Sequence, residues 1–222
     1  MPYQWDFGQL WPYAALFWRG AVYTVGFTIL TAVLGLLTGA VLALGRLSGT
    51  RWLRAPLGTV IEVFRCTPVL VQLVWCYYAL PVLTGLDLSP AAACVLTLSL
   101  YGGSFYAEII RGGLQSVGAG QRDAGRALGL TRGMLLRHVV APQAFRHSVP
   151  PLVNQTILQL KNTSLVSVVA VPDLLYQGQL VTSATYRPLE TYTLVAVLYF
   201  LMLFPLTRLA QCLETRLGRS GT

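Results

Sequence analysis

Hydrophobic positions in this chain come in long uncharged blocks, not in the narrow stripes of a soluble helix. The first block, Gly20 to Gly45, contains no charged residue and is bounded by Arg19 and Arg46. A second runs from about Cys66 to Leu83 and opens on Thr67-Pro68, where proline suits a first helical turn. A third covers roughly Ala91 to Ala107, a fourth Val149 to Val171, and a fifth Leu189 to Leu206. About 20 apolar residues in a helix cross the hydrocarbon of a bilayer. The pattern therefore predicts an all-α polytopic membrane protein with five transmembrane helices.

The longest polar interval, Glu108 to Arg146, separates the third block from the fourth. Within it Gln121 to Leu128 reads as a short helix stopped by Gly129, and Thr131 starts a second helix expected to end near Pro142. Pro56 and Gly58 are expected to break the interval 46–65, and residues Pro172 to Pro188 to form a short loop. Arg208, Arg216 and Arg219 are expected on a short C-terminal helix after the fifth span. The organisation expected is a segment 1–19 at the extracytoplasmic surface, one transmembrane domain over 20–212 and a cytoplasmic tail over 213–222. Residues 1–18 carry six aromatic rings of Trp, Phe or Tyr besides Tyr3 but no Lys or Arg, which argues for the headgroup layer and against a secretory signal.

Composition agrees with the pattern. Hydrophobic residues make up 55% of the chain and charged ones only 11%, against roughly 25% charged in soluble domains. The formal charge of +8 would suit nucleic acid, but its distribution points elsewhere. Thirteen of the sixteen Lys and Arg residues fall in the 46–65 interval, the 108–146 interval or the C-terminus. With five spans those three share one side, so the positive-inside rule places them in the cytoplasm and the N-terminus outside. Cys66, Cys76, Cys94 and Cys212 are far apart, and no histidine cluster accompanies them, so neither a metal site nor a disulfide framework is expected.

The fourth block is unusually polar. At 100° per residue Gln155, Gln159 and Asn162 share one face, Thr156, Thr163 and Ser167 a second, and Asn154 and Lys161 a third. No wide lipid-facing stripe is left, so this helix is expected inside the bundle. Lys161 lies roughly 18 Å into the span at 1.5 Å per residue. Two readings fit it: a ligand in a substrate pathway, or a lysine whose ammonium snorkels to the far interface.

The 121–142 interval has the outline of a helix–turn–helix, with Leu128, Leu130, Leu135 and Val139 as an apolar seam among Arg122, Arg126, Arg132 and Arg137. DNA reading does not suit it, because it is tethered between two spans and lacks a third helix for a core. A compact protrusion, or a plain surface loop, does.

The run QRDAGRALGLTRGMLLRHVVAPQA resembles the EAA loop of bacterial ABC importer permeases, with Asp123-Ala124-Gly125 in place of EAA, Gly129 as the fixed glycine and Pro142 as the later proline. The run from Tyr106 to Val117, the run Phe64 to Gln72, Pro142-Gln143-Ala144 and Lys161 to Leu165 are similar to the polar amino acid subfamily, of the histidine, glutamate, glutamine and arginine type. The similarity extends over about residues 15 to 212. Asp123 for glutamate, Gly125 for alanine, Cys66 for glycine or serine and Gly118 for proline depart from it. Gly125 is expected to weaken its helix by up to ~1 kcal/mol against alanine.

The resemblance implies a type I ABC importer permease fold over 20–212 in a bacterial inner membrane. It implies alternating access driven by a separate ATPase dimer, a second permease subunit and an extracytoplasmic solute-binding protein, with a polar amino acid as substrate. It makes Gln121, Asp123, Ala124, Gly125, Ala127, Leu128, Gly129 and Leu130 the ATPase-coupling residues. Gln155, Gln159, Lys161, Asn162, Thr163 and Ser164 are the substrate-pathway candidates, offering amide, hydroxyl and ammonium partners to a zwitterion. Arg65, Gln72, Glu108 and Arg111 near the inner ends act as gates or orient the loops. A phosphate-binding loop needs GxxxxGK followed by Ser or Thr, and the one lysine, Lys161, lies between Leu160 and Asn162. The chain is therefore expected to be non-catalytic and to hold no cofactor, with ATP and magnesium used by the partner ATPase. The rival reading is an ATP-independent channel or secondary carrier for small polar solutes.

Overall fold

In lipid every backbone N–H and C=O must find its partner within the chain, and this chain meets that demand with helices. The computed structural model describes residues 3–48 and 50–218, and no strand occurs among them. A 3₁₀ turn, Phe7–Tyr13, capped by the Asp6 carboxylate on the Gly8 N–H, leads into α1, Ala14–Leu47. Next come α2, Arg51–Cys66; α3, Val69–Val74; α4, Leu80–Thr84; and α5, Pro90–Ser116. The remainder is α6, Ala119–Ala127; α7, Arg132–Leu135; α8, Ala141–Asn162; α9, Leu174–Thr185; and α10, Pro188–Gly218. Among the described residues three stretches are long and apolar enough to span by themselves: Phe7–Leu47, Pro90–Ser116 and Pro188–Leu217. Two bent pairs, Arg51–Cys66 with Val69–Thr84 and Arg132–Val169 with Leu174–Thr185, raise the number to five if each is one span.

Several expected boundaries move, and proline accounts for two of them. A proline ring clashes with the carbonyl four residues back and supplies no N–H. Two single π-turns, Trp75–Ala79 and Leu136–Val140, lie just ahead of Pro81 and Pro142. In each the ladder slips by one residue: Leu80 N–H bonds Trp75 O, and Ala141 N–H bonds Leu136 O. The slip absorbs the clash, so the helix expected to stop near Pro142 instead continues through Pro150 and Pro151 to Asn162. Pro56 likewise sits inside an unbroken α2. The polar interval shrinks at its start too, since Glu108 to Ser116 belong to α5.

The helix expected to reach Val171 tightens into a 3₁₀ turn at Thr163–Val169 and ends at Ala170, with φ of 59°. The expected loop 172–188 is mostly helix α9, started by the Asp173 carboxylate accepting from Tyr176 N–H at 2.8 Å. Arg208 and Arg216 lie on α10 itself, not on a separate helix; Arg219 lies outside the described residues.

The chain divides into two compact units. One comprises Met1–Ala32, Pro68–Leu98 and Ile157–Leu206. Its core joins Phe27, Leu73, Cys94, Leu98 and Val166, and a second cluster gathers Leu10, Phe17, Leu174, Val181 and Val195. The buried hydroxyls of Thr28 and Thr31 donate to the carbonyls of Thr24 and Phe27, so neither is stranded.

The other unit comprises Val33–Thr67, Ser99–Thr156 and Thr207–Thr222. Here α1 and α5 meet across small residues, with Gly35 and Gly39 against Gly103. Thr38 Oγ1 donates to Gly35 O at 3.0 Å and reaches Ser99 O across the contact at 3.3 Å. Such approach is how helices pack where lipid removes most of the hydrophobic drive between them.

A Cβ on Gly39 would lie 2.7 Å from Gly103 O and 3.1 Å from Ala107 N, which are backbone atoms that cannot rotate away, whereas one on Gly26 meets nothing within 4 Å. Gly39→Ala is therefore expected to destabilise the protein by about 1–3 kcal/mol, and Gly26→Ala to be neutral or stabilising by up to ~1 kcal/mol. Thermal unfolding in detergent, run side by side on the two variants, checks the sign difference.

Candidate functional site

The polar turn after α5 is built as a closed cap. Leu130 N–H bonds Gly125 O at 3.1 Å, and Gly129 N–H bonds Arg126 O at 2.9 Å. These are the two bonds of a Schellman motif, which needs a left-handed residue at its corner. Gly129 supplies it with φ of 77°. Thr131 Oγ1 then accepts from Met134 N–H at 3.4 Å and starts α7.

The cap decides which residues face outward. Leu130 turns in beside Leu135, Val140, Ala144 and Val117, and Val139 packs against the same cluster. Leu128, read from sequence as part of that seam, is instead 82% exposed. Gln121, Asp123, Ala124, Ala127 and Gly129 are exposed with it, and Asp123 pairs with Arg126 at 3.0 Å on the surface. Gly125 is buried: a Cβ there would come within 2.5 Å of Leu135 Cδ1. The glycine thus makes room for Leu135, in addition to weakening α6. Arg122 anchors the base of the protrusion by donating to Leu114 O at 2.6 Å in the last turn of α5. Together these contacts present a rigid apolar knob, Leu128, with a rim of polar groups.

Of the four residues expected near the inner helix ends, Glu108 and Arg111 form one cluster, joined by Arg46. The Glu108 carboxylate is 14% exposed and accepts from Arg111 Nη2 at 2.6 Å and Nε at 3.1 Å, and it is also paired with Arg46. Arg111 Nη1 continues to Gln115 Oε1 at 2.6 Å. Arg65 makes no direct bond to this cluster but lies within electrostatic reach of Glu108; it pairs with Glu62 at 3.2 Å and lies over the Phe105 ring at 5.6 Å. Gln72 is half-buried on α3.

The expected substrate-pathway residues separate by exposure. Gln159 is fully buried, and its Nε2 donates to Leu98 O at 2.8 Å. Gln155 and Thr163 are buried too, with the Thr163 hydroxyl returning to Leu160 O at 2.6 Å. Lys161 is exposed, Asn162 and Ser164 are half-buried, and Ser164 donates to Lys161 O at 2.8 Å. The six already fall on different faces at 100° per residue, and the 3₁₀ turn moves Thr163 and Ser164 further out of the α-helical register.

One polar cluster has no counterpart in the sequence reading. Glu190, fully buried at the start of α10, accepts from the Tyr3 hydroxyl and from Asp6 N–H at 3.0 Å. Arg187 bonds the same carboxylate at 3.3 Å and Gln4 O at 3.0 Å. The bond to Glu190 raises the Tyr3 phenol above its ordinary range. Glu190 was visible as a lone acid, but nothing local announces partners more than 180 residues away.

The chain is similar to known proteins along most of its length. Residues 33–219 match the family described as binding-protein-dependent transport system inner membrane component. The glutamine transport system permease protein GlnP of Escherichia coli (strain K12) is 38% identical over 216 residues, covering 96% of this chain and 98% of that protein. The arginine transport system permease protein ArtQ of Bacillus subtilis (strain 168) is 31% identical over 212 residues, covering 96% and 97%. A crystal structure of an amino acid ABC transporter with histidines superposes with a TM-score of 0.92 at 36% identity, covering 96% of this chain and all of that one.

The cap separates packing from surface, which single substitutions can read. Leu135→Ala, at a position 7% exposed, is expected to cost about 2–5 kcal/mol, and Leu128→Ala less than ~0.5 kcal/mol. Unfolding of the isolated chain in detergent measures both; equal losses would contradict the outward placement of Leu128.

Proposed function

This chain belongs to the family of binding-protein-dependent transport system inner membrane components, and from that premise we propose that it is the membrane subunit of an ATP-driven importer carrying a polar amino acid into the cytoplasm. The observation that carries the substrate class is similarity along nearly the whole chain to permeases named for glutamine and for arginine. ATP is bound and hydrolysed on a separate ATPase dimer, and this chain receives the motion. The receiver is the protrusion of α6 and α7: burying one leucine side chain such as Leu128 in a groove contributes about 2 kcal/mol, and the rim of Asp123, Arg126 and Gln121 sets its register. An apolar anchor within a polar rim is the usual energetic centre of such contacts.

The arginine-rich intervals and the C-terminus lie in the cytoplasm, and the N-terminus lies outside, where a solute-binding protein delivers substrate. A second permease subunit completes the route. Within this chain Lys161, with Asn162 and Ser164 beside it, faces the substrate carboxylate, while Gln155, Gln159 and Thr163 hold the helix in place. Alternating access follows if ATPase and binding protein make different contacts with the two pathway states.

The test is uptake into proteoliposomes containing this chain, its ATPase and permease partners and the binding protein, with radiolabelled polar amino acids as substrates. Uptake is expected only with ATP and the ATPase subunit. Lys161→Met is expected to reduce it about tenfold, the worth of one charge-assisted hydrogen bond. Uptake that persists without the ATPase would overturn the reading in favour of a channel or secondary carrier. Undiminished transport of every amino acid by Lys161→Met would remove Lys161 from the pathway.

A further inference from the structure

Neither the protrusion nor the pathway accounts for α2. At 100° per residue Trp52, Pro56, Val60 and Val63 fall on one arc of it, and Arg51, Arg54, Glu62 and Arg65 on the opposite arc. Beside the basic arc Ile61 packs inward on Ala43 and Ala107, and within that arc the Arg46 side chain lies against Gly58. The apolar arc is bare. Trp52 is 91% exposed, Val63 57% and Val60 42%. A basic arc, an interfacial tryptophan and an uncovered apolar arc are the features of a helix lying in the headgroup layer.

The basic side adds an independent observation. Two cavities of about 370 and 450 Å³ share Arg46 and Arg54 in their walls. The smaller also has Ser48, Arg111 and Gln115, and the larger has Arg51 and Glu62. The carboxylates nearby are already engaged, Glu108 by Arg46 and Arg111 and Glu62 by Arg65. Among the described residues Arg51 and Arg54 have no ion pair, and Ser48 Oγ is buried without a hydrogen-bond partner. Unmatched guanidinium groups beside an unused hydroxyl donor suit a phosphate oxyanion, and the apolar arc on the other side of α2 holds that helix at the depth of the headgroups.

We propose that α2 lies in the headgroup layer and that the arginine cavity at its N-terminal half binds the phosphodiester of an anionic phospholipid. The inference rests on the membrane reading of the chain, not on its transport role. A bound lipid would tie α2 to the end of α1 and stabilise the folded chain by mass action.

The test uses the full chain, delipidated in detergent, with phosphatidylglycerol or phosphatidylcholine added back and followed by native mass spectrometry and thermal unfolding. Phosphatidylglycerol is expected to bind and raise Tm where phosphatidylcholine does not. Arg51→Gln and Arg54→Gln are each expected to weaken binding about fivefold, and Arg54→Lys to retain most of it. In bilayers of brominated phosphatidylcholine the fluorescence difference between the unaltered chain and Trp52→Phe should be strongly quenched. Equal binding of the two lipids, or displacement of phosphatidylglycerol by inorganic phosphate at equal concentration, would overturn the proposal. So would a Trp52 shielded from the brominated lipid, which would assign the arc to a protein surface. Failure of the chain to enter bilayers would instead overturn the membrane reading beneath it.

Discussion

A carboxylate can sit among packed helices only if its charge is met there, and Glu108 shows how much of one unit depends on that condition. Its two oxygens are held by Arg111 one turn along α5 and by Arg46 from the end of α1. Arg46 can reach because Gly35, Gly39 and Gly103 bring α1 and α5 together. With Glu108 paired, α5 continues past it as helix to Ser116, and its last turn supplies the carbonyl of Leu114 that Arg122 holds. The placement of α6 thus traces back through Arg122 and α5 to one ion cluster and three glycines.

The protrusion itself is set by backbone chemistry. The Schellman cap at Gly129 and the hydroxyl cap at Thr131 fix the corner, and burial of Leu130 and Leu135 fixes its tilt. On the far side the π-turn at Leu136–Val140 lets the helix pass Pro142 and run on into α8 without a break. On the proposed reading this continuity matters, because a push on α6 is then delivered along α8 without passing through a flexible loop.

Much of this was legible in the sequence, for identifiable reasons. Uncharged blocks announce spanning helices because charge is so costly in lipid. The Gly129 and Thr131 caps announce themselves because few residues satisfy those positions. What could not be read depended on contacts distant in the chain or on small changes of helical geometry. Whether Leu128 or Leu130 turns inward is decided by the two hydrogen bonds of the cap, not by hydrophobicity. The faces assigned to the fourth helix assume 100° per residue, and that assumption fails at Thr163. Helix α9 was hidden by its mixed composition, although Asp173 was a cap signal in plain view. Gln159, polar enough to look like a pathway residue, uses its amide on Leu98 O.

On the proposed reading Leu128 seats in a separate ATPase subunit. The most direct measurement is cysteine crosslinking from this position, in a chain carrying Leu128→Cys with Cys66, Cys76, Cys94 and Cys212 replaced, assembled with its partners. A crosslink to the ATPase subunit, with a yield that changes with ATP, is expected. An assembly that hydrolyses ATP and transports, yet gives no crosslink from position 128 with reagents of several lengths, would contradict it.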